Sequence, residues 1–283
     1  MASNVEHPEF ERVQSLLESI EKDERDGIVR QKPMKVLCLG MGRTGTTSLA
    51  AALKQLGFSP YDFIDRFYKE HFHLWDEAIR AKYHGQGRQW EKADFDRVTA
   101  EFDAVLDIPC CLFVDELVMA YPEAKVILNV RDDPDQWLMS MNKTLFTVFK
   151  WPSWKLLQYT EPRLCGRWFK HVNLIWQVFC SGDRGELCKQ RYLEHNKNVR
   201  ASTDSTRILE YRVSQGWEPL CQFLDLPVPT SSFPTGNTPK EFMDTHRQLW
   251  KVAIYMSVRR VLRYTVPMLV VVMAIWKWMP KRA

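Results

Sequence analysis

Residues 35–48, Lys-Val-Leu-Cys-Leu-Gly-Met-Gly-Arg-Thr-Gly-Thr-Thr-Ser, constrain this chain more than any other stretch. An apolar, β-favouring run at 36–39 meets three glycines, Gly40, Gly42 and Gly45. Four hydroxyl side chains, Thr44, Thr46, Thr47 and Ser48, crowd the same turn. A helix-like stretch at 49–56 follows and stops at Gly57. Strand, glycine turn and helix start together build a pocket for an anion. The glycines let backbone N–H groups converge, and the helix adds its unpaired N–H groups and positive end.

The remaining chain alternates strand and helix signals. Short apolar strands are expected at 104–106, 125–130 and 207–211, with helices at 69–82, 111–121 and 216–224. Residues 151–200 read as several helices rich in Trp, Phe and Leu. Such alternation predicts a three-layer α/β/α fold around a mainly parallel sheet. The predicted division is a charged helical arm at 1–32, a main domain at 33–239 and an apolar C-terminal helix at 240–283.

Three patterns claim the glycine turn. Gly40-x-Gly42-x-x-Gly45 meets the dinucleotide pattern, with Asp62 or Asp65 near the place of a ribose-binding acid. That reading implies an NAD(P)-dependent oxidoreductase. Gly40 and Gly45 also open a nucleoside triphosphate loop, but Thr46 stands where its lysine belongs. The third pattern fits best. Arg43-Thr44-Gly45-Thr46-Thr47-Ser48 resembles the 5′-phosphosulfate loop of sulfotransferases. Val-Arg131-Asp-Asp-Pro, with Ser140 on the next helix, resembles that family's second motif, and Asp107-Ile-Pro109 falls where its catalytic His-Leu-Pro stands. The strand at 207–211 and the helix at 217–224 resemble the late part of the same fold. The whole is similar to a divergent sulfotransferase-like group common in fungi, over residues 35–238.

The resemblance implies a metal-independent enzyme with 3′-phosphoadenosine 5′-phosphosulfate (PAPS) as sulfonate donor and the hydroxyl of a small, apolar metabolite as acceptor. Gly42, Arg43, Thr44, Gly45, Thr46, Thr47 and Ser48 would hold the 5′-phosphosulfate. Arg131 and Ser140 would clamp the 3′-phosphate, and Tyr211 would contact adenine, the other reading of Tyr211 being a strand tyrosine in the core. Asp107 would be the general base, with Arg43 as its catalytic partner; the other reading of Asp107 is a structural acid pairing with Arg43 or Arg131. Sulfonation that activates a hydroxyl for dehydration or cyclisation is one alternative, and a non-catalytic nucleotide-binding or membrane scaffold is another.

A net charge of +4 suits a small anionic ligand or an anionic membrane, and is too slight to argue for nucleic acid. Seven cysteines without a CxxC pair read as buried hydrophobes in a reducing compartment. The polar start of the chain lacks a signal-peptide core, so a cytoplasmic location is expected. Arg259, Arg260 and Arg263 precede an apolar run at 266–276, with Lys277, Lys281 and Arg282 beyond it. Residues 258–283 are therefore expected to attach the protein to an endomembrane, as a spanning or interfacial helix, or else to pack on the domain.

Overall fold

Five short strands form one parallel sheet in the computed structural model, which describes residues 30–69 and 71–278. Residues 1–29 of the expected charged helical arm lie outside the described residues. The strands are β1 Val36–Cys38, β2 Pro60–Tyr61, β3 Ala104–Leu106, β4 Lys125–Asn129 and β5 Ile208–Tyr211, in spatial order β2-β3-β1-β4-β5. Leu37 is level with Val105 on one side and with Val126 on the other. The helices in chain order are α1 Thr46–Gln55, α2 Phe63–Tyr68, α3 Phe72–His84, α4 Lys92–Thr99, α5 Val114–Ala120, α6 Pro134–Lys143, α7 Leu145–Val148, α8 Pro152–Thr160, α9 Arg167–Cys180, α10 Glu186–Ala201, α11 Trp217–Leu224 and α12 Pro239–Trp278.

Successive strand residues point to opposite faces, and both faces are covered. Val36, Cys38, Leu106, Ile127 and Tyr211 pack against α1 and α11 through Leu49, Leu53 and Leu220. Leu37, Val105, Val126 and Leu128 pack into the opposite core with Trp75, Trp137 and Tyr192. This gives the expected three layers. It also explains why the strands read as unbroken apolar runs. Pro60–Tyr61 is too short to show any periodicity, so this edge strand escapes the sequence reading. All seven cysteines are buried and unpaired. Burial pushes the Cys38 thiol well up and Cys110 up to about 12, so both behave as inert hydrophobes.

Chain order reverses at β1. The chain runs out to β2 and β3 on one side, then to β4 and β5 on the other. Ligands of open α/β sheets bind in the crevice at the carboxyl ends of strands where such a reversal occurs. The turns leaving β1, β3 and β4 carry the glycine loop, Asp107 and Arg131 respectively.

The C-terminal expectation needs correction. Among the described residues, no helix is long and apolar enough to cross a membrane. Of the arginines expected to flank a span, Arg260 is tied into the packed half of α12, while Arg259 and Arg263 are exposed. The first half of α12 lies on α8: Trp250 donates to Ser153 at 2.8 Å, Ser257 meets Thr160 at 3.0 Å, and Arg260 pairs with fully buried Glu161 at 3.0 Å. Apolar side chains farther along, including Val266, Leu269, Val272 and Ile275, are exposed.

His171 on α9 has no exposed surface and its Nδ1 lies 2.7 Å from Asp76 on α3. Burial lowers its pKa to about 4 against the opposing pull of Asp76. Between that value and about 6.5 the unfolded chain binds the proton that the folded chain refuses, so stability falls as pH falls. Lowering the pH from 7 to 5 should cost about 2 kcal/mol through His171 alone. Urea midpoints at the two pH values, with and without His171→Gln, check this; the substitution should flatten the dependence.

Candidate active site

The loop after β1 must hold its shape without a ligand, and a buried amide does much of that work. Asn129, the last residue of β4, is fully buried. Its Oδ1 accepts from the Gly40 N–H at 3.3 Å and its Nδ2 donates to the Thr44 hydroxyl. Thr44 in turn donates to the Met41 carbonyl at 2.6 Å. A side chain at position 40 is excluded, because a Cβ there would stand 2.1 Å from the Asn129 carbonyl oxygen. Gly45 has φ +92°, and a Cβ there would meet Val213 at 2.6 Å. These glycines are demanded by backbone conformation and close approach.

Other contacts brace the loop from behind. Trp137 Nε1 donates to the Gly42 carbonyl at 2.9 Å and stacks on Tyr192 with ring centroids 4.2 Å apart. The Tyr192 hydroxyl accepts from the Arg131 N–H at 3.1 Å. His195 Nε2 donates to the Leu39 carbonyl at 2.7 Å. Helix α1 begins at Thr46, three residues earlier than the apolar pattern suggests, so the hydroxyl cluster itself forms its first turn. Thr46 and Ser48 are buried there.

Two cations face this turn. Arg43 sits at φ 70°, Arg131 Nε donates to its carbonyl at 2.8 Å, and its own Nε reaches the Ser140 hydroxyl at 3.4 Å. Its Nη2 donates to the Asn237 carbonyl at 3.0 Å, and its guanidinium lies 4.9 Å from the Phe242 ring centroid. Burial lowers the Arg43 pKa to about 10; Arg131 adds to the fall and Asp107 opposes it. Among the described residues, no carboxylate forms an ion pair with Arg43 or Arg131, so the reading of Asp107 as their salt-bridge partner does not hold.

Asp107 leaves β3 at φ 66° and turns its carboxylate to the loop. Oδ1 accepts from the Ile108 N–H at 2.8 Å, and Oδ2 accepts from the Thr46 hydroxyl at 3.4 Å. A Cβ on Gly42 would lie 2.9 Å from Oδ1, so loop and acid are in close apposition. Although the residue keeps some exposed surface, enclosure of the carboxylate raises its pKa. Arg66, the Ile108 N–H and the Thr46 hydroxyl pull the other way.

The structure thus gathers Gly42, Arg43, Thr44, Gly45, Thr46, Thr47, Ser48, Asp107, Arg131 and Ser140 around one turn. Tyr211 stands apart. It is fully buried in the core under α11, and its hydroxyl donates to the Gly216 carbonyl at 2.7 Å, so it supports a wall and offers no open face to adenine. The sequence reading missed Asn129, Trp137, Tyr192, His195, Asn237 and Phe242. Only Asn129 gave a signal, as a polar residue ending an otherwise apolar strand.

Comparison with known proteins shows the family. The sulfotransferase domain family matches residues 35–242. The chain belongs to that family. A relative from Aspergillus versicolor, the Ava biosynthesis cluster protein M, is 45% identical over 226 residues, covering 77% of this chain and 86% of the relative. The family match starts one residue before β1 and ends at Phe242, the ring beneath Arg43. The sulfotransferase domain therefore includes the first turn of α12.

Asn129→Ala should strip Gly40 and Thr44 of their buried partner and destabilise the protein by about 1–3 kcal/mol. Urea denaturation at neutral pH measures it.

Proposed function

We propose that this protein transfers a sulfonate group from PAPS to a hydroxyl of a small, largely apolar metabolite, as a tailoring reaction. The observation that carries this reading is the pair of arginines, Arg43 and Arg131, joined at the glycine loop by the Arg131 Nε to Arg43 carbonyl hydrogen bond and without a carboxylate partner among the described residues. Like charges so placed call for an anion, and a ligand with phosphates at two positions suits two guanidinium groups. The donor set fits the group: loop N–H groups and the hydroxyls of Thr46 and Thr47 for one end, and Arg131 with Ser140 for the other. The biosynthetic name of the Aspergillus versicolor relative supports a tailoring role.

When bound, the donor supplies a sulfonate already activated by its link to phosphate. The protein's part is to place and balance charge. Arg43 and the loop N–H groups would stabilise negative charge growing on the 5′-phosphate, as fixed donors that need no rearrangement. Asp107, across the loop from Arg43, would accept the proton of the acceptor hydroxyl. Its raised pKa makes it a better base than an exposed aspartate, while Thr46 and Ile108 hold the carboxylate in place.

Calorimetry with adenosine 3′,5′-bisphosphate tests the binding half. Arg43→Ala and Arg131→Ala should each weaken it at least about tenfold, or about 1.4 kcal/mol. No binding by the wild type, or tighter binding of NAD, would overturn the reading. Asp107→Asn should keep the bisphosphate site and lose about 10²–10⁴-fold in sulfonate transfer. In the wild type, kcat/KM should drop on the acid side with a midpoint above the usual aspartate value of about 3.9, because only the carboxylate accepts the proton.

A further inference from the structure

Helix α12 outruns the domain that holds it. Arg260 ties it to the end of α8, donating to the Thr160 carbonyl at 3.1 Å and to Glu161 Oε1 at 3.0 Å. Past that point the burial pattern changes. Every residue from 266 to 275 is apolar and exposed, with Val266 at 50% and Met268 at 62%. This stretch makes nearly three turns, so every face of the helix is apolar and every face is open. A helix that is apolar all round belongs in an apolar medium, because no rotation gives it a side suited to water.

The domain continues this surface at the foot of the helix. On α8, Leu156 and Tyr159 are 65% and 77% exposed and, three residues apart, share a face. Tyr159 precedes Thr160, whose hydroxyl meets Ser257 of α12 at 3.0 Å, and exposed Val258 comes next along α12. Lys155, Arg259 and Arg263 are exposed in the same two helices. Glu161, which follows α8, is fully buried against Arg260. The sequence holds no Asp or Glu from 245 to 283, and cations return after the apolar run at Lys277, Lys281 and Arg282.

We infer that this end of the protein docks on an anionic lipid bilayer, with residues 266–275 sunk in one leaflet and Lys155, Arg259 and Arg263 at the headgroups. Charge selects lipid over a second copy of the chain. Two such helices side by side, in either direction, would set Arg259 and Arg263 against other cations, with no acid in the segment to pair them. An anionic surface meets the same cations with the opposite sign. Length sets the depth. The run from 266 to 275 covers about 15 Å, against a hydrocarbon core of about 30 Å, so it enters a leaflet without crossing. Basic residues at both ends of the run hold it near headgroup level, where the Tyr159 ring is also at home. The anion site is untouched by this contact: Phe242 lies under Arg43 at the start of α12, and about 36 Å of helix separates it from Val266. The inference is independent of the sulfonate-transfer reading.

The test is sedimentation of the full chain with vesicles of phosphatidylcholine, either alone or with about one part in four of phosphatidylserine. Each cation near an anionic surface strengthens binding about fivefold, so the wild type should bind the mixed vesicles at least about tenfold more tightly. High salt should erase most of that advantage. Leu269→Glu combined with Val272→Glu, both at exposed positions, should weaken binding to the mixed vesicles at least about tenfold. The urea midpoint of that variant should match the wild type. Arg259→Gln combined with Arg263→Gln should shrink the preference for mixed vesicles at least about fivefold. No vesicle binding by the wild type, equal binding to both compositions, or unchanged binding by the double-glutamate variant would overturn the inference. So would a lipid-free dimer in sedimentation velocity that the same two glutamates split into monomers, since that would give the exposed helix to a second copy. The wild-type comparison needs no variant.

Discussion

An anion-binding loop faces opposing demands: its N–H groups must stay free for the ligand, yet the backbone that aims them must be fixed beforehand. The Asn129 side chain reconciles the two. It lies beneath the turn, inside the protein, and takes one N–H and one hydroxyl that point inward. The outward groups are left alone. Because Asn129 terminates β4, the same residue ties the loop after β1 to the strand that delivers Arg131. Trp137 and Tyr192 repeat the arrangement one layer out. The geometry of the anion site is thus an extension of the sheet, and any change in strand register would be felt at the ligand.

Charge across the site alternates: Arg43 and Arg131 meet at the loop, and Asp107 lies against it. Arg43 and Asp107 are perturbed by their surroundings. Burial and Arg131 pull the Arg43 pKa down, enclosure pushes Asp107 up, and Arg66 limits that rise. Such alternation suits a reaction in which negative charge leaves on one side while a proton departs on the other. No metal is required by this logic, since the two arginines supply fixed positive charge where it is needed.

How much of this was legible in the sequence follows from what each feature is made of. The loop, Arg131 and Asp107 were readable because glycines, a strand-end arginine and an acid after an apolar run are local patterns. The three layers were readable because unbroken apolar strands imply two covered faces. Tyr211 stayed ambiguous because a strand tyrosine looks the same whether its ring faces the ligand or the core. Asn237 and Phe242 were invisible, since nothing in a proline-rich loop or a helix start announces which distant side chain it will cover. At the tail, the spanning reading rested on composition alone. Apolar content at 266–276 was visible, but the docking of α12 on α8, through Arg260 and Glu161, was not.

Asn237 closes over the loop through contacts with Arg43 and Thr47, at sequence separations of 194 and 190 residues. Phe242 adds its ring a few positions later. These contacts set an order of events during synthesis. The glycine loop leaves the ribosome some 190 residues before the segment that completes it. A nascent chain can assemble the sheet and still present an unfinished loop, because this closure must await residues 237–242. An anion at this loop therefore cannot be engaged fully until that segment has been made.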